Sequence, residues 1–208
     1  MTDPASSTAA LQSRGMLCDP GTHFHGRFEV ERKYRVDLLE PIRSEVLSMG
    51  AAPFTLGNRE TDIFLDQSDG RLAANGQQQV LRLMQPSGRV LWICKGPGSD
   101  RCVAMDLDDS DKALEMLSAL GYVETGRLAK DRDIYFLGDF HITLDQLDGL
   151  GCFVEIAVMT DDADSLQEWA ERVDAFAGTL GLKPSQIEHR SYRSMMTAST
   201  RNQDDQPA

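Results

Sequence analysis

Residues 28–36 carry charges of both signs at every second position. They read Phe-Glu-Val-Glu-Arg-Lys-Tyr-Arg-Val. A period of two is typical of a β-strand, in which alternate side chains lie on the same face. Two carboxylates followed by two cations could hold a metal ion beside a polyanion. They could equally form the solvated face of an antiparallel sheet and pair with a neighbouring strand. The residues of this face are Glu29, Glu31, Lys33 and Arg35.

Five other predicted strands also place an ionisable group on a face that is otherwise apolar. Glu155, for example, shares a face with Phe153 and Ala157. An isolated buried charge costs several kcal/mol unless it is paired, so one shared polar interior would satisfy all of these groups together. A closed antiparallel barrel with a charged lumen provides such an interior. The candidate cations are Lys33, Arg82, Lys95, Lys130 and Arg132, with Arg35 and Arg101 as further possibilities, and the candidate acids are Glu29, Glu31, Asp145 and Glu155.

This set of charges suits a phosphate chain with a metal ion. Carboxylates two positions apart on a strand are separated by about 6.6–6.8 Å along it. They can flank a hard divalent cation, which prefers carboxylate oxygens and retained waters. Five cations with a carboxylate-held Mg²⁺ match a triphosphate, because phosphate oxygens form charge-assisted hydrogen bonds. At an effective dielectric of about 20, each well-placed charge pair contributes up to about 4 kcal/mol before desolvation.

Hydrophobic periodicity and turn residues predict the elements that position these charges. Hairpin connections, such as the Pro86-Ser87-Gly88 turn, favour antiparallel pairing and therefore an α+β fold. The last segment, 184–196, is predicted as a short helix or strand. The predicted strands are 28–36, 61–66, 79–84, 90–95, 101–107, 129–137, 140–144 and 153–159, and the predicted helices are 37–50, 109–120 and 165–180.

Composition limits the classes of partner. The 208 residues carry a formal net charge of −12, which argues against a nucleic-acid or anionic-membrane surface because those require positive potential. No run approaches the 18 or so apolar residues of a membrane span. The four cysteines show no paired spacing, which favours a reduced, cytoplasmic compartment. We expect a disordered leader at 1–22, one domain at 23–197 and a disordered tail at 198–208.

The motif Glu29-Val-Glu31-Arg-Lys33 resembles the ExExK signature of the CYTH, or triphosphate tunnel, superfamily. Because ExExK alone is a weak pattern, the further matches matter, and they resemble the class IV adenylyl cyclases in particular. Together they cover about residues 23–196. These further matches are His23-Phe24, Gln85-Pro-Ser-Gly88, Leu91-Trp-Ile-Cys-Lys-Gly-Pro97, Arg101-Cys102, Ile134-Tyr-Phe136, Gly149-Leu-Gly151, Glu155-Ile-Ala-Val-Met-Thr-Asp-Asp162 and Arg190-Ser-Tyr-Arg193.

The resemblance implies an eight-stranded antiparallel closed tunnel with helices packed outside, in a homodimer. It implies conversion of ATP to cyclic AMP and pyrophosphate with Mg²⁺ or Mn²⁺. Metal held at Glu31 and Glu155 would lower the pKa of the ribose 3′-hydroxyl that attacks the α-phosphorus. The metal-site carboxylates are then Glu29, Glu31 and Glu155; the substrate-binding residues are Lys33, Arg82, Lys95, Lys130, Arg132 and Asp145; and the catalytic set is Glu31, Lys33, Lys130, Arg132 and Glu155.

Two other functions are compatible with the same residues. A hydrolase of the same fold would release phosphate from thiamine triphosphate or inorganic tripolyphosphate. A non-catalytic nucleotide or polyphosphate binder would gain little from the carboxylates. Many hydrolases of the superfamily carry arginine in place of Met84 and glutamate in place of Ala157. Alanine at 157 is what the resemblance leads us to expect of the cyclase branch, so it favours that branch. Val103 stands where the resemblance leads us to expect an acidic residue.

Overall fold

The computed structural model describes residues 26–98 and 101–204 of the chain. The predicted leader and the His23-Phe24 match lie outside these residues. The strands are β1 (Phe28–Val36), β2 (Ala52–Gln67), β3 (Gln78–Gln85), β4 (Val90–Lys95), β5 (Cys102–Leu107), β6 (Tyr122–Leu137), β7 (Phe140–Leu147) and β8 (Gly151–Thr160). The helices are α1 (Glu40–Ser48), α2 (Arg71–Ala74), α3 (Ser110–Ala119), α4 (Leu166–Thr179) and α5 (Tyr192–Asp204).

All eight strands form one antiparallel sheet in the order β1-β8-β7-β6-β2-β3-β4-β5. The predicted α+β class with eight antiparallel strands is confirmed. The sheet curls into a half-barrel, and among the described residues its two edge strands, β1 and β5, do not pair with each other. The expected closure of the barrel by strand pairing is therefore absent from the described residues.

The free edge of β1 has another neighbour, which explains why β5 does not complete the cylinder. Tyr34 bridges to Ile187, and the Glu188 amide donates to the Lys33 carbonyl at 2.8 Å. Side chains meet across the remaining seam, where the Lys95 ammonium on β4 lies 3.2 Å from a Glu29 carboxylate oxygen on β1. The tunnel is thus open along one side.

Helices cover the outer, convex face of the sheet, as predicted. Ile142, Val154 and Ile156 point outward into a core shared with residues of α1 and α4, such as Val46 and Val173. A second outer core joins β2 and β3 to α3 through Leu117. Because apolar residues face out and charged residues face in, the period of two separates a conventional core from a polar lumen. No helix among the described residues has the length and apolar character needed to cross a membrane.

Helix α5 departs from the expectation that helices pack only outside. Its Met195 is buried against Phe64, Ile93 and Phe153, which are inward-facing residues of three strands. The helix therefore closes one end of the half-barrel, where the inner face becomes apolar. It also continues to Asp204, past residue 198 where we placed the start of the tail.

Several element boundaries differ from the predicted ones. β2 and β6 each span 16 residues, so both begin well before the predicted starts at 61 and 129. Register shifts interrupt their pairing near Thr55, and this irregularity obscures the period of two in the sequence. Helix α1 begins after Leu39 and not at Asp37, with Pro41 in its first turn.

The outer core predicts a large cost for truncating a residue of β8. Ile156 is fully buried in the core that β8 shares with α1 and α4, so Ile156→Ala should lower the free energy of unfolding by about 2–5 kcal/mol. The matched control is Met116→Ala on α3, whose side chain is largely exposed and which should change it by less than about 0.5 kcal/mol. Urea denaturation measures both, and equal effects would contradict this assignment of the core.

Candidate active site

Strand register brings the predicted charges together on the inner face of the sheet. Lys33 on β1 lies opposite Glu155 on β8, and Arg132 on β6 lies opposite Asp145 on β7. Residues paired across neighbouring strands share a face, so each pair extends the polar lumen by one strand. The sequence-predicted residues Glu29, Glu31, Lys33, Arg82, Lys95, Lys130, Arg132, Asp145 and Glu155 all lie on this inner face.

Asp62 on β2 anchors one half of the lumen. Its carboxylate accepts two hydrogen bonds from Arg82, at 2.7 and 3.0 Å, and one from the Lys130 ammonium at 2.6 Å. Lys130 is completely buried. Burial acts to raise the pKa of Asp62, but Arg82 and Lys130 outweigh it and hold that pKa far below its usual range. Asp62 therefore stays ionised and fixes both cations.

Glu60 lies one inward position away on β2 and faces three cations. Its Oε2 is 3.1 Å from Arg82 Nε, 3.2 Å from Lys130 Nζ and 3.7 Å from Arg132 Nε. Its Oε1 accepts a hydrogen bond from the buried Asn58 amide at 2.8 Å. Burial raises the pKa of Glu60, yet the three cations lower it overall. This carboxylate therefore stays charged among the three cations.

Arg132 joins the second cluster of acids. Its guanidinium donates to both oxygens of Asp145, with Nε at 2.6 Å, and to a Glu155 oxygen at 3.0 Å. The Tyr192 hydroxyl on α5 donates to the same Asp145 carboxylate at 2.8 Å. Burial raises the pKa of Glu155, but Arg132 and the lysines lower it overall, so this acid is ionised as well.

Lys95 holds the carboxylates of β1 at the open seam. Its ammonium lies 3.2 Å from Glu29 and 4.0 Å from Glu31. The Glu29 carboxylate raises the pKa of Lys95. Burial acts to raise the pKa of Glu29, but Lys95 and His141 outweigh burial and lower that pKa overall. Glu31 differs: burial and the neighbouring Glu155 charge raise its pKa to about 7, against the opposing effect of Lys95. The environment of Glu31 thus favours its protonated form.

Lys33 makes no ion pair among the described residues. Its ammonium lies over the ring of Tyr192, 4.5 Å from the ring centroid. Of the two further candidate cations, Arg35 turns toward the Leu150 carbonyl at 2.8 Å and the Phe153 ring, and Arg101 is exposed. Lys33 is therefore the tunnel cation that is ready to meet an anion without first leaving a carboxylate.

A cavity of about 830 Å³ opens beside the free edge of β1. This volume lies within the range of pockets that accept drug-sized ligands. Ile187 and His189 line its outer rim. Its charged inner wall is formed by Glu29, Glu31, Lys33 and Lys95.

The three predicted metal-site carboxylates fit a hard divalent ion by their chemistry. Among the described residues no three Asp, Glu, His or Cys side chains converge as a ready metal cluster. However, burial and the neighbouring Glu155 raise the pKa of Glu31 to about 7, and a cation bound there would stabilise its ionised form. Oxygen donors with this charge suit Mg²⁺ or Mn²⁺.

The sequence analysis did not identify four residues of the lumen, which are Asn58, Glu60, Asp62 and Tyr192. It also placed Val103 in the tunnel, which the structure contradicts. The pattern Asn58-x-Glu60-x-Asp62 has the same period of two as β1, but our predicted strand began only at residue 61. Tyr192 was part of a matched motif, yet its position inside the tunnel depends on α5. Val103, the expected acidic position, lies on the outer face and is 64% exposed, so it does not line the tunnel.

Comparisons with known proteins agree with this architecture. The model of the CYTH domain matches residues 27–192. Adenylate cyclase CyaB of Aeromonas hydrophila is 44% identical over 173 residues, which is 83% of this chain and 91% of the relative.

Solved structures with similar folds also agree with this architecture. The X-ray structure of a candidate adenylate cyclase from Vibrio parahaemolyticus is 42% identical, with a TM-score of 0.80, and the match covers 83% of this chain and 99% of that chain. A protein from Pyrococcus horikoshii OT3 is 25% identical, with a TM-score of 0.73 and coverage of 82% and 99%. With its curled antiparallel sheet and charged lumen, the chain belongs to the CYTH domain family.

Proposed function

We propose that this protein is a class IV adenylyl cyclase, which converts ATP to 3′,5′-cyclic AMP and pyrophosphate with Mg²⁺ or Mn²⁺. The observation that carries the proposal is the convergence of five cations with metal-type carboxylates inside one tunnel. The relative from A. hydrophila, named an adenylate cyclase, supports the same activity. The five cations are Lys33, Arg82, Lys95, Lys130 and Arg132.

The charge balance of the lumen supports a role for divalent metal. Among the described residues, six carboxyl groups face the five cations around its centre, and Glu31, whose pKa is raised to about 7, is ionised only in part at neutral pH, so the lumen has no positive charge in excess. A triphosphate adds several more negative charges, so it needs cations beyond those of the protein. Mg²⁺ or Mn²⁺ held by the β1 and β8 carboxylates would supply them. The six acids are Glu29, Glu31, Glu60, Asp62, Asp145 and Glu155.

The protein cations would bind the phosphates by exchanging partners. Lys33 has no carboxylate to leave, and Arg82 and Arg132 can present paired N–H groups to phosphate oxygens as they do to Asp62 and Asp145. Because Lys130 is buried and fixed by Asp62, it needs no reorganisation to stabilise charge. These side chains neutralise the β- and γ-phosphates and the departing pyrophosphate.

The reaction then requires the ribose 3′-hydroxyl to be oriented toward the α-phosphorus and to lose its proton. Glu31 and Glu155 would hold the metal, which when bound lowers the pKa of the ribose 3′-hydroxyl. The 3′-hydroxyl gives its proton to solvent water as its oxygen bonds to the α-phosphorus, the bond from that phosphorus to the bridging oxygen breaks, and pyrophosphate leaves with the electron pair. Inward-facing Met84 and Ala157 favour this reaction over phosphate release, since the resemblance leads us to expect charged residues at these positions in many hydrolases.

We also propose a cytoplasmic homodimer with no nucleic-acid or membrane partner. The outer face of β5 exposes Val103 and Met105, apolar residues of the kind that subunit interfaces cover. Light scattering in solution tests the oligomeric state, and a mass of one chain at micromolar concentration would contradict the dimer.

Removal of the Glu31 charge should abolish cyclase activity without unfolding the protein. Glu31→Gln keeps the size of the side chain but removes a metal-type ligand, so turnover of ATP with Mg²⁺ or Mn²⁺ should fall by about 100-fold or more. The matched control is Glu115→Gln on α3, an exposed position where activity should stay within about twofold. Chromatographic separation of products from both variants and the wild-type chain makes the measurement.

The identity of the products tests the proposed function itself. Cyclic AMP and pyrophosphate in equal amounts are expected from the wild-type chain. Release of inorganic phosphate would indicate a hydrolase of the same fold, and saturable ATP binding with no turnover under either metal would indicate a binding protein. Either of these results would overturn the cyclase assignment.

The raised pKa of Glu31 predicts a pH-dependent stability of the metal-free protein. Its pKa is about 7 in the folded chain against 4.5 in the unfolded one, so the folded state holds a proton that the unfolded state loses between these values. The contribution of Glu31 to the free energy of unfolding is therefore fully present below pH 4.5 and is lost as pH rises through about 7. Between pH 4.5 and about 7, the free energy of unfolding of the wild type should fall by on the order of 2 kcal/mol relative to that of Glu31→Gln.

Urea unfolding in the presence of a chelator measures this difference, and titrating groups remote from Glu31 cancel between the two proteins. A difference that stays constant from pH 4.5 to about 7, or that grows in favour of the wild type, would show that Glu31 is not held in an acidic environment.

A further inference from the structure

Lys33 and Arg132 reach the same residue, Tyr192, although they lie on different strands. The Lys33 ammonium lies 4.5 Å from the centre of the Tyr192 ring, a distance at which a cation is attracted to the ring face. The Tyr192 hydroxyl donates to Asp145, the acid that holds Arg132 in a two-point contact. The Lys130 ammonium also lies 5.8 Å from the centre of this ring, so one aromatic side chain contacts the machinery for phosphate binding at three points.

The position of Tyr192 is itself fixed by its helix. The Ser191 hydroxyl accepts a hydrogen bond from the Ser194 amide at 3.1 Å and so caps the first turn of α5. Arg193 donates to the buried Asp66 at 3.1 Å and to Thr125 at 3.0 Å. The Phe153 and Tyr192 rings pack edge to face, with their centroids 5.3 Å apart.

A purely structural role is the alternative for Tyr192. The residue lies at the apolar end of the tunnel, where Met195 of the same helix is buried in the core. Tyr192 differs because its ring faces the Lys33 ammonium, which Glu155 attracts without a direct ion pair, and its hydroxyl faces a buried carboxylate. Core packing alone requires neither of these contacts.

We propose that Tyr192 is a positioning residue for triphosphate turnover: its ring holds Lys33 toward the phosphates, and its hydroxyl orients Asp145 and through it Arg132. This rests on the proposed function in that it assumes a triphosphate substrate. It makes α5 part of the active site and not only a cover for the tunnel. Lys33, held by a ring and not by a carboxylate, keeps its charge available for the anion.

Two substitutions separate the roles of ring and hydroxyl. Tyr192→Phe keeps the ring under Lys33, so the KM for ATP should stay within about threefold while kcat falls about three- to tenfold. Tyr192→Leu also removes the ring, and the KM should then rise about tenfold because Lys33 loses its support. Tyr34→Phe, a buried tyrosine on the outer face of β1, is the matched control and should leave both constants unchanged.

A double-mutant cycle shows whether the ring acts through Lys33. Calorimetry measures the binding of inorganic tripolyphosphate to Tyr192→Phe and to Tyr192→Leu, each with Lys33 retained and each combined with Lys33→Met. Binding to Tyr192→Leu should be about tenfold weaker than to Tyr192→Phe when Lys33 is present, and less than about twofold weaker when it is replaced. An equal loss in both backgrounds would show a structural role and overturn the proposal.

A spectroscopic readout does not depend on activity. In protein with ¹³C-methylated lysines, the Lys33 resonance, assigned by its loss in Lys33→Arg, should lie upfield because of the ring. It should keep that shift in Tyr192→Phe and lose it in Tyr192→Leu. If the wild-type chain neither binds tripolyphosphate nor turns over ATP, the proposed function fails; if it does both and the Lys33 resonance shows no ring shift, this inference alone fails.

Discussion

Burial of charge is possible in this protein only because the charges are buried together. Lys130 is wholly enclosed and would be prohibitively costly alone, but Asp62 and Glu60 lie within 2.6 and 3.2 Å of its ammonium. The same carboxylates hold Arg82, and Arg132 is held in turn by Asp145 and Glu155. The curl of the sheet is needed for the contact between Lys95 on β4 and Glu29 on β1, because five strands lie between β4 and β1 in the sheet order. The helices on the convex face then cover an ordinary apolar core.

The network also explains how a strongly acidic chain can bind a polyanion. Each cation is held in position by an acid that a phosphate oxygen can replace, so the site is organised before the substrate arrives. The proposed exchange would leave carboxylates that need a new counter-ion, and a divalent metal at Glu31 and Glu155 would meet that need. Lys33 is the exception, because an aromatic ring holds it in place of an acid. The proposed active site therefore extends from β1 at the seam to α5 at the closed end of the tunnel.

Much of this could be predicted from the sequence because alternation along a strand determines which side chains share a face. Glu29, Glu31 and Lys33 on β1, with Glu155 on β8, needed only that rule and the ExExK resemblance. Glu60 obeys the same rule but was missed because the bulged start of β2 conceals where the strand begins. Asp62 lay inside the predicted strand 61–66 but was not identified as a lumen acid. Tyr192 could not be found by periodicity, since its place in the lumen depends on contacts of α5 with residues far away in the chain. The open seam was also beyond prediction, because it depends on residues 187–188 occupying the edge of β1.

A crystal structure with a non-hydrolysable ATP analogue and Mn²⁺ tests the central claim most directly. The account predicts the β- and γ-phosphates within hydrogen-bonding distance of Lys33, Arg82 and Arg132, and an anomalous manganese peak beside Glu31 and Glu155. It also predicts that the contact between Arg132 and Asp145 loosens or gains a phosphate oxygen. An analogue bound on the outer face of the sheet, with the ion pairs of the lumen unchanged and no manganese near Glu31, would contradict it.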